Sequence, residues 1–244
     1  MIPTPLAPLK LQLSRLLGLP SDVADEVVAQ LQEVKAGFSF AELEETAIPS
    51  YTHRLSPIRY LFLKRLQVAL SLLHKQMDMG RDEPDAGKSE VLDFGCGAGL
   101  MTIALQLCDY NVFRCDIRPA VCLPLAQDSP SVDAETSLQS HADFTRFSAC
   151  VALDVLEHLT ETELDAFTAS FRSGAILIVS GPTENWLYRL GRRLAGFQGG
   201  YHQRDVYQIL YRFEQSGWTR AQRDRVVLSR FYCPAFVVAC LSKQ

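Results

Sequence analysis

Apolar residues recur at helical spacing through the first third of the chain. Leu9, Leu13, Leu16 and Leu17 form one stripe, which Gly18 and Pro20 terminate. Val23, Val27, Val28, Leu31 and Val34 mark one side of a second helix, with Ser21 placed to cap it and Gly37 to end it. Ser39-Phe40-Ala41-Glu42 fits a capping box, with Phe38 and Leu43 positioned as a hydrophobic staple, and this short helix ends before Pro49. Ser56-Pro57 predicts a longer helix, Ser as N-cap and Pro at its first position, running through Leu61, Leu63, Leu66, Ala69 and Leu72 to about Met77.

From Ser89 the texture changes to short apolar runs alternating with helical segments. Glu90–Phe94 and Asn111–Cys115 read as strands, separated by glycines and a helix over Met101–Leu107; another helix begins at Pro119. The stretch 128–147 is poorly patterned and holds a third strand or its remnant. Ala149–Leu153 and Ala175–Val179 are continuously apolar, as expected of strands buried on both faces. A helix over Asp205–Gln215 ends before Gly217, and two strands, about Ala221–Leu228 and Ala235–Leu241, close the chain. Such alternation predicts an α/β fold, a doubly wound parallel sheet with helices on both faces. The last two strands have no helix between them, so one of them runs antiparallel. The polar, turn-rich residues 80–88 read as a linker, dividing the chain into a helical cap (1–87) and an α/β domain (88–244).

Composition narrows the class. Of 244 residues, 48% are hydrophobic and 21% charged, which excludes a mostly disordered chain. A net charge of −4 argues against bulk electrostatic binding to nucleic acid. Seven cysteines, an odd number with no C-x-x-C pair and several inside apolar runs, read as reduced thiols of a cytoplasmic protein rather than disulfides or metal ligands. No apolar run reaches the roughly 18 residues of a membrane span, and the N-terminus lacks the pattern of a signal peptide.

The strongest chemical signal is Val91-Leu92-Asp93-Phe94-Gly95-Cys96-Gly97-Ala98-Gly99-Leu100, a strand, a G-x-G-x-G turn and a helix start. Glycines let backbone approach a ligand closely, and the helix start offers N–H groups to an anionic group. A dinucleotide-binding turn places its third glycine where Leu100 stands here. Asp116 closes the second strand 21 residues after Gly95, close to the spacing of a carboxylate that accepts ribose hydroxyls.

On these residues, and on Leu153-Asp154-Val155-Leu156-Glu157-His158-Leu159 after the fourth strand, the chain resembles the class I S-adenosylmethionine-dependent methyltransferases over about residues 89–241. Within them it is similar to small-molecule enzymes of the quinone-biosynthesis type. The resemblance implies a Rossmann-like seven-stranded sheet whose last strand is antiparallel. It implies that Gly95, Cys96, Gly97 and Gly99 wrap the methionine part of S-adenosylmethionine and that Asp93 steadies the loop and the cofactor ammonium. Asp116 would take the ribose hydroxyls, Ile117 would pack on adenine, and Asp133-Ala134 would lie beside the adenine amine. Leu153 and Asp154 would sit near the methyl-bearing end. Family members often carry Phe-Asp before the fourth strand; Phe147-Ser148 stands here, read as local divergence.

A sulfonium methyl is already electrophilic, so the protein need supply mainly alignment, and a base only if the acceptor must lose a proton. His202 and His158 are the candidate bases. Tyr51, Glu184, Asn185 and Tyr201 are candidate acceptor contacts, and Arg54 is the candidate partner of the cofactor carboxylate. Residues 186–230 hold nine arginines against three acids. Its amphipathic part, 186–197, could meet a membrane surface, but a core face with solvated arginines is the preferred reading. The expected function is methyl transfer to a small molecule. The alternatives are an NAD-dependent oxidoreductase, which Leu100 opposes, and a non-catalytic cofactor-binding or scaffold protein of the same fold. Neither the acceptor nor the oligomeric state is set by these features.

Overall fold

The computed structural model describes residues 6–43, 46–79, 88–132, 143–183, 185, 204–226 and 235–244. The chain opens with helices α1 (Leu6–Leu17), α2 (Ser21–Gly37), α3 (Phe40–Leu43), α4 (Ile48–Tyr51) and α5 (Ser56–Met79). The capping box forms: the Ser39 N–H donates to Glu42 Oε2 at 2.7 Å and the Glu42 N–H to Ser39 Oγ at 3.3 Å. Ser21 and Ser56, expected as N-caps, are instead the first helical residues. The helical bonding of α2 starts one residue earlier, where the Pro20 carbonyl accepts from Ala24 N–H at 2.8 Å. At α5 the Leu55 carbonyl accepts from Ile58 and Arg59 N–H, and the Ser56 hydroxyl accepts from Gln12 Nε2 at 3.1 Å.

The second part runs β1 (Glu90–Phe94), α6 (Leu100–Leu107), β2 (Asn111–Cys115), a 3-10 turn (Pro119–Val121), α7 (Pro124–Gln127) and β3 (Ser131–Val132). It continues with β4 (Ala149–Leu153), a 3-10 turn (Leu156–His158), α8 (Glu161–Ala169), β5 (Ile176–Pro182), α9 (Val206–Gln215), β6 (Trp218–Val226) and β7 (Phe236–Lys243). The weakly patterned third strand is two residues long. The helix expected from Pro119 is split between the 3-10 turn and α7, since Leu123, between them, is extended (φ −62°, ψ 142°). Asp205 caps α9, its Oδ1 accepting from the Tyr207 and Gln208 N–H groups at 2.9 Å each. Residues 80–87 of the expected linker and 186–203 of the arginine-bearing stretch lie outside the described residues.

The strands form one seven-stranded sheet in the order β3-β2-β1-β4-β5-β7-β6, with β7 antiparallel to both neighbours and the other pairs parallel. This is a doubly wound, Rossmann-like α/β sheet. Alternation along each strand divides its side chains between two cores. Val91, Val112, Val151, Ile178 and Val238 face a layer built by α1, α2, α5 and α6; Leu92, Phe94, Cys150, Leu177 and Val237 face the other side. The N-terminal helices therefore share a core with the sheet, and α5 lies against β5 and β7.

The second core is aromatic. Phe167 stands 4.6 Å from Phe94 and 5.1 Å from Phe171, ring centre to ring centre, and also contacts Phe144 and Phe213. Truncating a ring buried this deeply leaves a cavity and costs about 3–5 kcal/mol. Phe167→Ala is expected to lower the free energy of unfolding by that amount in urea titration, with the m-value unchanged.

Candidate functional site

The sheet order reverses between β1 and β4. The chain leaves β1 toward β2 on one side and returns to β4 on the other, so their carboxyl ends open a crevice where ligands bind in such sheets. The glycine loop stands at its mouth. The Gly95 and Cys96 N–H groups donate to the Cys115 carbonyl at 2.7 and 3.2 Å, tying the loop to the end of β2. A Cβ at Gly95 would lie 2.5 Å from the Val155 side chain, and one at Gly99 would lie 2.3 Å from Ala126 Cβ. Both residues have left-handed φ (73° and 80°), so the loop requires glycine for conformation as well as for room. Above Gly97 nothing lies within 4 Å of where a Cβ would stand.

Two carboxylates flank the loop. Asp116 Oδ2 accepts from Gly97 N–H and Oδ1 from Arg118 N–H, each at 2.7 Å. Asp93 is 3% exposed and accepts from Thr102 Oγ1 at 2.6 Å. Burial pushes the Asp93 carboxyl up to about 7; the Thr102 hydroxyl opposes the rise and the Asp116 charge adds to it. Ile117, next to Asp116, is 67% exposed, an apolar side chain held open at the crevice edge.

At the end of β4, Leu153 is half-buried and Asp154 has a positive φ of 52°. Asp154 is held from two sides. Ser180 Oγ of β5 donates to its Oδ1 at 3.1 Å, and Arg65 of α5 forms an ion pair with its Oδ2. The Arg65 guanidinium is 2% exposed and lies against the rings of Phe62 and Phe236, 5.2 and 5.0 Å from their centres; the two rings meet edge to face at 5.1 Å. Its Nη2 reaches the Tyr51 hydroxyl at 3.4 Å, while its Nε has no hydrogen-bond partner among the described residues. Burial pushes the Tyr51 phenol up, with the Arg65 charge opposing. Tyr51, Arg65, Asp154 and Ser180 thus form a buried polar cluster between the helical layer and the sheet edge.

Of the residues singled out in the sequence, the structure gathers Asp93, Gly95, Cys96, Gly97, Gly99, Asp116 and Ile117 around the loop, and Leu153, Asp154 and Tyr51 at the end of β4. Arg54 is exposed, and its carbonyl accepts from Arg59 Nη1 at 3.2 Å. His158 is exposed at the end of the 3-10 turn, and Asn185 donates to Thr183 Oγ1 at 2.6 Å. Asp133, Ala134, Glu184, Tyr201 and His202 lie outside the described residues. Arg65, Ser180 and Thr102 were missed. Arg65 carried a signal: it falls on the buried stripe of α5, four and seven residues before Ala69 and Leu72, where a cation requires partners. Among the described residues no cluster of His, Cys, Asp or Glu could hold a metal, and no helix is long and apolar enough to cross a membrane.

No family model and no curated protein matches this sequence. Solved structures do. The 1,6-didemethyltoxoflavin N1-methyltransferase of Burkholderia thailandensis, crystallised with 1,6-didemethyltoxoflavin and S-adenosylhomocysteine, aligns at TM-score 0.54 and 18% identity over 84% of this chain and 89% of its own. Magnesium protoporphyrin IX methyltransferase from Synechocystis PCC 6803, with bound S-adenosylhomocysteine, aligns at TM-score 0.52 and 16% identity over 75% and 87%. The N-methyltransferase NodS from Bradyrhizobium japonicum WM9 aligns at TM-score 0.50 and 17% identity over 74% and 87%. The fold is that of the class I S-adenosylmethionine-dependent methyltransferases.

Asp93 gives the site a pH signature. The native carboxyl keeps its proton to about pH 7, whereas an unfolded aspartate releases it near 4. The folded state binds more protons between those values, so stability from this group falls as pH rises through about 7. Asp93→Asn keeps an acceptor for Thr102 and removes the titration. Its melting temperature relative to wild type is expected to rise between about pH 5 and 8, read by differential scanning calorimetry without ligand.

Proposed function

We propose that this protein transfers a methyl group from S-adenosylmethionine to a small-molecule acceptor by in-line displacement, leaving S-adenosylhomocysteine. The observation that carries the reading is the cradle at the β1–α6 turn: a glycine loop open above Gly97, with the buried Asp93 carboxyl behind it and the Asp116 carboxylate beside it. S-adenosylmethionine supplies the electrophilic sulfonium methyl when bound.

The roles of the chain's own residues follow from their chemistry. Gly95, Cys96, Gly97 and Gly99 hold the methionine part. Asp93 faces its ammonium; a cation there favours the ionised carboxyl, so binding draws the Asp93 proton out to solvent. Each Asp116 oxygen has lone-pair capacity beyond the one backbone bond it accepts, and this takes the ribose hydroxyls. Ile117 covers one face of adenine, with Asp133 and Ala134 beside the amine. Leu153 and Asp154 border the reacting methyl. We assign the cofactor carboxylate to Arg65 rather than Arg54. Arg65 is buried beside Asp154 with an unfilled Nε, whereas Arg54 is exposed. The helices before residue 88 form the cap over this edge. Tyr51, Glu184, Asn185 and Tyr201 shape the acceptor pocket, and His202 or His158 takes the proton when the acceptor carries one. Reduced cysteines and the overall charge support a cytoplasmic enzyme acting on a small molecule rather than on nucleic acid. A solvated role for residues 186–197 is preferred to membrane contact.

Thermal shift and calorimetry test the reading. S-adenosylhomocysteine at about 100 times its Kd is expected to stabilise the protein by about 2.7 kcal/mol, with no shift from NADH; the reverse pattern would identify an oxidoreductase. Loss of charge-assisted bonds of roughly 1.5–3 kcal/mol each predicts that Asp116→Ala weakens S-adenosylhomocysteine binding about tenfold or more. Arg65→Gln is expected to weaken it comparably, and Arg54→Ala to leave it within about twofold. An unchanged Kd in Arg65→Gln with a weakened one in Arg54→Ala reverses the arginine assignment.

A further inference from the structure

Helix α7 is four residues long and brings no cap of its own. Leu123, at its N-terminal boundary, offers no side-chain acceptor, and Pro124 has no N–H. The Ala126 N–H donates to the Leu123 carbonyl at 2.9 Å. That leaves the Leu125 N–H, and its acceptor comes from the helical layer: Gln30 Oε1 of α2, 95 residues earlier, at 3.2 Å. Gln30 is 6% exposed, and its Nε2 donates to Glu26 Oε1 at 2.7 Å, one turn back on α2. A carboxylate accepts and a backbone N–H donates, so the two partners fix which end of the amide faces α7.

The segment that Gln30 holds is the floor of the glycine loop. Just before α7, the Leu123 N–H donates to the Ala98 carbonyl at 3.1 Å. Within α7, Ala126 Cβ stands 2.3 Å from where a Cβ of Gly99 would be. Gln127 Nε2 closes the segment on itself, donating to the Cys122 carbonyl at 2.9 Å. The same segment runs back to Asp116, whose Oδ2 accepts from Gly97 N–H. From these contacts we infer that Gln30 is a positioning residue: through α7 it holds the glycine loop, and with it the adenosine side of the cofactor site, in register with the N-terminal helical layer. The tether stands whatever binds there; its effect on affinity rests on the methyl-transfer reading.

A buried N–H that loses its acceptor costs free energy only while α7 stays in place. Removing the Gln30 carbonyl therefore favours conformations in which α7 moves away and the loop follows. Affinity falls with the fraction of molecules that keep the loop in place, since only these bind. A cap that merely stabilised the fold would lower the melting temperature and leave the loop and the affinity as they are.

Amide hydrogen exchange of the full chain without ligand, and calorimetry with S-adenosylhomocysteine, test the tether and its effect. Gln30→Met keeps the length of the side chain and removes both polar ends; Gln30→Asn, one methylene shorter, replaces it should methionine disturb folding. Exchange at Leu125 and across residues 95–99 is expected to quicken, and the Kd to weaken, each by about threefold or more. Exchanging the two partners, Gln30→Glu with Glu26→Gln, keeps an acceptor for Leu125 and a donor beside it. That pair is expected to return both readings to within about twofold of wild type. Leu9→Ala, on the buried face of α1, is the stability control: it lowers the melting temperature and leaves loop exchange and Kd unchanged. Quickened exchange at Leu125 with an unchanged loop overturns the positioning role. Equal loosening of the loop in Leu9→Ala, or no recovery in the exchanged pair, overturns it too. Faster loop exchange with an unchanged Kd overturns the effect on binding. Wild type that fails to bind S-adenosylhomocysteine overturns the methyl-transfer reading, while the exchange data still decide the tether.

Discussion

At the turn from β1 into α6 the backbone is packed so closely that two side chains must be absent. Gly95 faces Val155, which follows the end of β4, and Gly99 faces Ala126 of α7. The approach brings the carboxyl ends of β1 and β4 together with the segment after β2 and lets the Cys115 carbonyl bind two loop N–H groups. Asp116 can cap Gly97, and Asp93 can lie buried against Thr102, only because the loop sits this low. A Cβ at Gly95 or Gly99 would lift the loop and separate the carboxylates from the crevice.

Above that turn the site has two electrostatic halves. On the loop side are carboxylates, one of them carrying its proton to about pH 7 because burial disfavours its charge. At the end of β4, a buried guanidinium lies against the rings of Phe62 and Phe236 and is ion-paired to Asp154. Arg65 and Tyr51 enter this polar cluster from the helical layer, so that layer contributes to the cluster as well as to the core.

Much of this was legible in the chain before folding. The apolar runs of β4 and β7, the glycine turn and the strand-closing Asp116 are local patterns, and the α/β alternation follows from them. Errors fell where neighbouring backbone competes with side chains: Ser21 and Ser56 were passed over as caps because the Pro20 and Leu55 carbonyls begin the bonding. Arg65 went unnoticed because an arginine in a long helix ordinarily reaches solvent, and nothing nearby in sequence announces Asp154, 89 residues later.

The sequence by itself determined the class of fold, the place of the glycine loop and the acid at its flank, because each depends on residues within a few positions of one another. Only the tertiary structure decided that Arg65 is buried beside Asp154 and that Asp93 is desolvated enough to hold a proton near neutrality. Those properties depend on what other segments bring to within a few ångströms. Periodicity records which way a side chain faces, but not what it meets there.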